Sequence, residues 1–93
     1  MDRLTEWIEE KKTYISKHIE GKQNGGYSGE AIDRLAKFEN LLEDMLGQKE
    51  KLPGELAKLR EEGKEKSYRF REIFAKKLTI EALLTIMKDF GIE

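Results

Sequence analysis

The sequence predicts an all-α domain: a compact bundle of four to five short helices that associates with itself. Three observations carry this. Ala, Glu, Lys, Leu and Arg together make up 49 of the 93 residues, near the half that marks helix-rich chains. Valine is absent and Ile is the only β-branched aliphatic residue, whereas sheets draw heavily on that class. Apolar residues also recur at spacings of three and four between caps and breakers. A chain of this length is expected to form a single helical domain over residues 1–93, burying roughly 60–65% of its unfolded surface.

The first helix is expected over about 3–20, capped by Asp2 or Thr5. Leu4, Trp7, Ile8, Ile15 and Ile19 mark its stripe, with Tyr14 and His18 beside it and Lys11 and Lys12 interrupting it. So narrow a seam suits a partner helix better than a core helix. The stretch 21–29, GKQNGGYSG, holds four glycines and an Asn and reads as a flexible loop. Ser28 then caps a second helix over about 29–47, whose apolar residues Ile32, Leu35, Ala36, Phe38, Leu41, Leu42, Met45 and Leu46 give a face wide enough for two neighbours. Pro53 and Gly54 break the chain, and Pro suits the first turn of a short charged helix over about 54–62 that ends at Gly63.

The remainder is the most informative part of the chain. Ser67 suits an N-cap, and Phe70, Ile73, Phe74 and Lys77–Leu78 follow helical spacing. Thr79 offers a second N-cap, with Ile80, Leu83, Leu84, Met87 and Phe90 forming a broad apolar face behind it and Gly91 as a stop. Two short helices, about 68–78 and 80–90, are therefore expected to meet at a corner.

Charge is distributed unevenly. Residues 64–77 carry Lys64, Lys66, Arg69, Arg71, Lys76 and Lys77 against Glu65 and Glu72, a net of +4 in a chain whose total is −1. Such a block suits an anionic partner or docking on acidic helices. With Tyr68 as a ring for stacking, it makes Lys64, Lys66, Tyr68, Arg69, Arg71, Lys76 and Lys77 the candidate site for nucleic acid or a phosphorylated ligand such as a nucleotide.

The other chemistry is thin. The chain has no cysteine, hence no disulfide, thiolate metal site or thiol nucleophile. His18, the only histidine, has no second ligand or carboxylate at helical spacing. The glycine stretch lacks the G-x-x-x-x-G-K-[ST] order of a phosphate loop. The pairs Glu9–Glu10, Glu43–Asp44 and Glu61–Glu62 are adjacent in sequence and splay around a helix, unlike the inward-facing pairs of di-metal bundles. The tail REIFAKKLTIEALLTIMKDFGI has the outline of a helix-turn-helix, but Thr79 stands where the turn prefers Gly, and Glu81 and Asp89 suit a groove-reading helix poorly. No enzyme, cofactor or metal is expected. No run approaches the length of a membrane span, and no signal-peptide pattern is present.

The segments MDRLTEW and AIDRLAKFE resemble a pattern found in small accessory proteins of phages and prophages of Gram-positive bacteria, in which M-x-R-L-T is followed by A-x-x-R-L-A-x-[YF]-E. Here Phe38-Glu39-Asn40-Leu41-Leu42 continues the helix where that pattern tends to stop at E-D-T-G. The resemblance implies a mobile-element protein in a bacterial cytoplasm, acting on host machinery or host defence.

The functional expectation is a non-enzymatic interaction module that binds a host protein or its own copy, the latter most simply as a dimer. Leu4, Trp7, Ile8, Ile15, Ile19, Phe38, Leu41 and Met45 are the expected self-association residues. The alternative is the anion-binding reading of residues 64–77.

Overall fold

The computed structural model describes residues 3–16, 21–23 (backbone alone) and 26–92. In order, its elements are β1 (Thr5–Ile8), β2 (Thr13–Ser16), β3 (Gly21–Gln23), β4 (Gly26–Ser28), α1 (Glu30–Glu61) and α2 (Tyr68–Asp89). The expected all-α bundle of four to five short helices is thereby corrected: two long helices follow two β-hairpins. The chain divides into two compact units, Met1–Leu41 and Leu42–Glu93, and α1 contributes to both.

In the first unit, β1 and β2 pair antiparallel with Thr5 opposite Ser16 and Trp7 opposite Tyr14. The residues suit this role. Thr5, Trp7, Ile8, Thr13, Tyr14 and Ile15 are all β-branched or aromatic, the classes that fit a pleated surface. Trp7 and Tyr14 meet edge to face with ring centroids 5.0 Å apart, a cross-strand pair worth about 0.5–1.5 kcal/mol. The two lysines that interrupt the helical stripe lie in the turn. Lys12 takes a left-handed φ of 51°, its N–H donates to the Glu9 carbonyl at 3.3 Å, and its ammonium pairs with the Glu9 carboxylate.

β3 and β4 form the second hairpin, with Gly21 opposite Ser28 and Gln23 opposite Gly26. The expected flexible loop over 21–29 is corrected to this hairpin at its described residues. The link is Asn24-Gly25, the dipeptide most favoured in two-residue hairpin connections. Residues 24–25 and 17–20, the latter with His18 and Ile19, lie outside the described residues.

The second unit is an αα-hairpin. Its core is Met45, Leu52 and Leu56 of α1 with Ile73 and Ile80 of α2, and Leu59, Phe70, Leu84 and Met87 pack against it. These core residues belong to a longer sequence register, Leu42, Met45, Lys49, Leu52, Leu56, Leu59 and Gly63 from α1 into its stop and Phe70, Ile73, Lys77, Ile80, Leu84, Met87 and Gly91 from α2 into its stop, in which Lys49 is exposed and Lys77 half-buried. Both follow alternate spacings of three and four, the signature of coiled-coil packing. Moreover, each position on α2 lies 28 residues, four heptads, after its counterpart on α1, including a lysine mid-seam and a glycine at the end.

Both glycines close their helices in the same way. Gly63 (φ 71°) and Gly91 (φ 80°) adopt the left-handed conformation. Gly63 N–H donates to Arg60 O at 3.0 Å and Lys64 N–H to Leu59 O at 2.8 Å; Gly91 and Ile92 repeat this on Lys88 and Met87, both at 2.9 Å. This is the paired-bond stop that satisfies the last carbonyls of a helix.

Two expected breaks are absent. Pro53 lies inside α1, although proline lacks the N–H that would reach the Lys49 carbonyl and its ring crowds that group. Leu52 and Leu56 on either side are both buried, so packing holds the helix through a position that local propensity would interrupt. Likewise α2 runs through Thr79, whose hydroxyl donates back to the Ala75 carbonyl at 3.0 Å instead of capping a new helix. Ser67 does cap α2: its Oγ accepts from Phe70 N–H at 3.1 Å with extended backbone at φ −73° and ψ 157°. Ser67→Ala is expected to lower unfolding free energy by about 1 kcal/mol. Urea titration followed by helical circular dichroism reads this; an unchanged midpoint would show that the cap is dispensable.

Candidate functional site

The basic segment is divided by the fold rather than gathered. Lys64 and Lys66 sit in the connection before α2, and the remaining residues ride on α2 itself. Arg69 and Lys76 line a groove of about 370 Å³ between the helices, beside Asp44, Gln48, Lys51, Glu55 and Glu72. Arg71 lies roughly half a turn away from them around the helix. The groove thus holds three bases (Lys51, Arg69, Lys76) and three acids (Asp44, Glu55, Glu72), a balance that does not concentrate anions.

Several cations also have partners within the chain. Lys64 Nζ lies 3.0 Å from Glu62, Arg69 3.5 Å from Glu72, and Lys77 2.8 Å from Glu81. The Lys64 ammonium, by hydrogen bond and by charge, holds the Glu62 carboxyl below the ordinary glutamate range. Lys77 is a seam residue, half-buried, with its head turned to Glu81. Tyr68, by contrast, is 78% exposed.

The expected self-association residues also fall on different surfaces. Met45 and Leu4 are buried at 4% and 8% exposure, so neither is available at a surface. Trp7 and Ile15 are exposed and Ile8 half-buried on the β1–β2 hairpin, while Phe38 and Leu41 are exposed on α1. Ile19 lies outside the described residues. On the hairpin, Trp7 Nε1 donates to Glu9 at 2.7 Å, and the Arg3 guanidinium lies 5.9 Å from the Tyr14 ring centre. Lys12 and then Trp7 hydrogen-bond the Glu9 carboxyl and lower its pKa.

Among the described residues no side chain that is polar or charged is buried, and no group of three or more His, Asp or Glu residues is arranged to hold a metal ion. No described helix is long and apolar enough to cross a membrane. No family model, curated protein or solved structure matches the chain.

What sequence reasoning missed is on α2. Phe74, Leu78, Leu83, Ile86 and Phe90 are all exposed, with Phe90 at 81%. The broad face expected over 80–90 in fact splits: Ile80, Leu84 and Met87 turn to the seam, leaving Leu83 and Phe90 outside with Ile86. The signal was present as spacing. Only 73, 77, 80, 84 and 87 continue a strict alternation of four and three, which assigns the remaining apolar residues to other faces.

Proposed function

We propose that this chain is a non-enzymatic interaction module that works by helix-to-helix association, first with a second copy of itself and then with a host protein. One observation carries the reading. The αα-hairpin buries five residues in its own core yet leaves five large apolar side chains and Tyr68 exposed along α2. Such a surplus of outward apolar surface marks an interaction surface. The charged groups support it, being spread over solvated helix faces as short-range pairs. The resemblance of MDRLTEW and AIDRLAKFE to phage accessory proteins supplies the proposed setting, a bacterial cytoplasm. Size-exclusion chromatography with light scattering tests the reading: a dimer mass is expected at tens of micromolar, and a monomer mass there would overturn it.

A second reading, anion or nucleotide binding through 64–77, has one supporting observation: Tyr68 is exposed beside Lys66 and Arg69. A bound nucleotide would raise the melting temperature by mass action, and Lys66→Glu would abolish the rise. No shift with any nucleotide, together with no retention on nucleic acid at low salt, would end it.

A further inference from the structure

We propose that the outward stripe formed by Tyr68, Thr79, Leu83 and Ile86 of α2 with its C-cap residue Phe90 is the contact between two copies of this chain, with the two α2 helices antiparallel about a two-fold axis near Thr79. This rests on the self-association reading and adds the surface, the symmetry and the centre.

The stripe follows from helical geometry. At 3.6 residues per turn, Tyr68 and Ile86, 18 residues apart, point the same way, and Thr79, Leu83 and Phe90 fall within a narrow arc around them. That arc lies roughly a third of a turn from the seam, so hairpin packing leaves it open. Tyr68 is 78% exposed, Phe90 81%, Ile86 55% and Leu83 44%.

A second copy is singled out because the stripe is complementary to itself, as a two-fold contact requires. Tyr68 and Phe90 are each eleven residues from Thr79. An antiparallel match about Thr79 therefore sets the ring at one end of α2 on the ring at the other end of its counterpart. Leu83 and Ala75 are each four residues from Thr79, so a large side chain meets a small one, and the same contact recurs on the other side of the axis.

Charge agrees with this independently. Arg71 and Asp89, 18 residues apart, share one rim of the stripe, and their midpoint, residue 80, is one residue from Thr79. About the same axis, each guanidinium comes alongside the carboxylate of the other copy. Among the described residues neither has an ion-pair partner within the chain. The available area is also sufficient. Two largely exposed rings offer about 300 Å² per copy, so about 600 Å² between copies comes from rings alone. This is about half of the 1,200 Å² at which stable interfaces begin, before Leu83 and Ile86 are counted.

The whole chain, which has no cysteine, permits two tests. In the first, the dimer dissociation constant is measured by light scattering over a dilution series, with helical circular dichroism as the folding control. Ile86→Glu with Phe90→Glu is expected to raise it at least about 100-fold, since the two-fold repeats each loss and the pair removes four large apolar contacts from the dimer. Arg71→Glu and Asp89→Arg are each expected to raise it by about 3–10-fold, with recovery in the double swap. In the second, Thr79→Cys is expected to form a disulfide-linked dimer under mild oxidation far faster than Ala57→Cys on α1. This holds even if the acidic variants fail to fold. If the wild type is a dimer but Thr79→Cys cross-links no faster than Ala57→Cys, the placement on α2 is overturned while self-association stands. A wild type that stays monomeric at tens of micromolar removes both.

Discussion

Leu56→Ala is expected to destabilise the αα-hairpin by about 3 kcal/mol, within the 2–5 kcal/mol range of large-to-small changes in cores. Leu56 is the most buried residue of this unit, at 3% exposure, and it packs with Leu52 and Ile73. The cost has two parts: the apolar area that is no longer taken out of water, and the dispersion attraction forfeited by the side chains lining the space left behind. The context makes it severe. A unit of about 50 residues has only about 3–8 kcal/mol of stability on per-residue averages, so this one truncation removes a large share. Urea unfolding followed by helical circular dichroism, at fixed protein concentration because association also contributes, should show a midpoint far below wild type or no folded baseline. Leu46→Ala makes the internal comparison: that side chain is 43% exposed and should cost well under half as much. Equal effects at the two sites would mean that the packing described for this hairpin is wrong.

Pro53→Ala is expected to stabilise the protein by about 2–3 kcal/mol, approaching the full penalty of proline within a helix. The position is exposed, so no buried area is lost when the ring is removed. Alanine restores an N–H directed at the Lys49 carbonyl and relieves the crowding of that group. The same urea titration reads the gain, as a higher midpoint at unchanged slope. A lower midpoint would show that α1 needs the proline's geometry, and a much steeper slope would show that the wild-type unit is incompletely folded around it. Because proline is so costly there, its presence also implies that Leu52 and Leu56 on their side of the helix supply more than the local backbone loses.

Sequence reasoning succeeds here where a local rule and the tertiary environment agree. Ser67, Gly63 and Gly91 act as caps and stops because each serves a backbone group in its own turn. It fails wherever long-range packing overrides a local preference. Pro53 and Thr79 look like boundaries when read alone, and each is spanned by a helix with buried residues on both sides, Leu52 and Leu56 around Pro53 and Ile73 and Ile80 around Thr79. The hairpins escape it for another reason. Leu4, Trp7, Ile8, Ile15 and Ile19 also fit a helical stripe, so position alone is ambiguous. The classes of residue are not: Thr-Glu-Trp-Ile and Thr-Tyr-Ile-Ser are strand compositions, and Asn24-Gly25 is a hairpin link. Absence of valine is weak evidence against two strand pairs so short, since threonine, isoleucine and aromatic rings fill the same role. For the basic segment, the count of charges is legible but their dispersal around α2 and into a balanced groove depends on the register of the two helices.

The 28-residue period sets the direction in which two such helices pack. Lys49 and Lys77 occupy equivalent places in it. If one copy of α1 lay alongside an α2 pointing in the same sense, the two ammonium groups would confront each other across the seam, and like charges so placed are costly. With the helices reversed, as in the hairpin, the two are kept apart: exposed Lys49 lines a groove with Leu42, Leu46, Leu84 and Glu81, and Lys77 pairs with Glu81. Two residues out of fourteen therefore carry a vectorial instruction that the apolar pattern lacks. Replacing both with leucine would strengthen the seam while erasing its polarity.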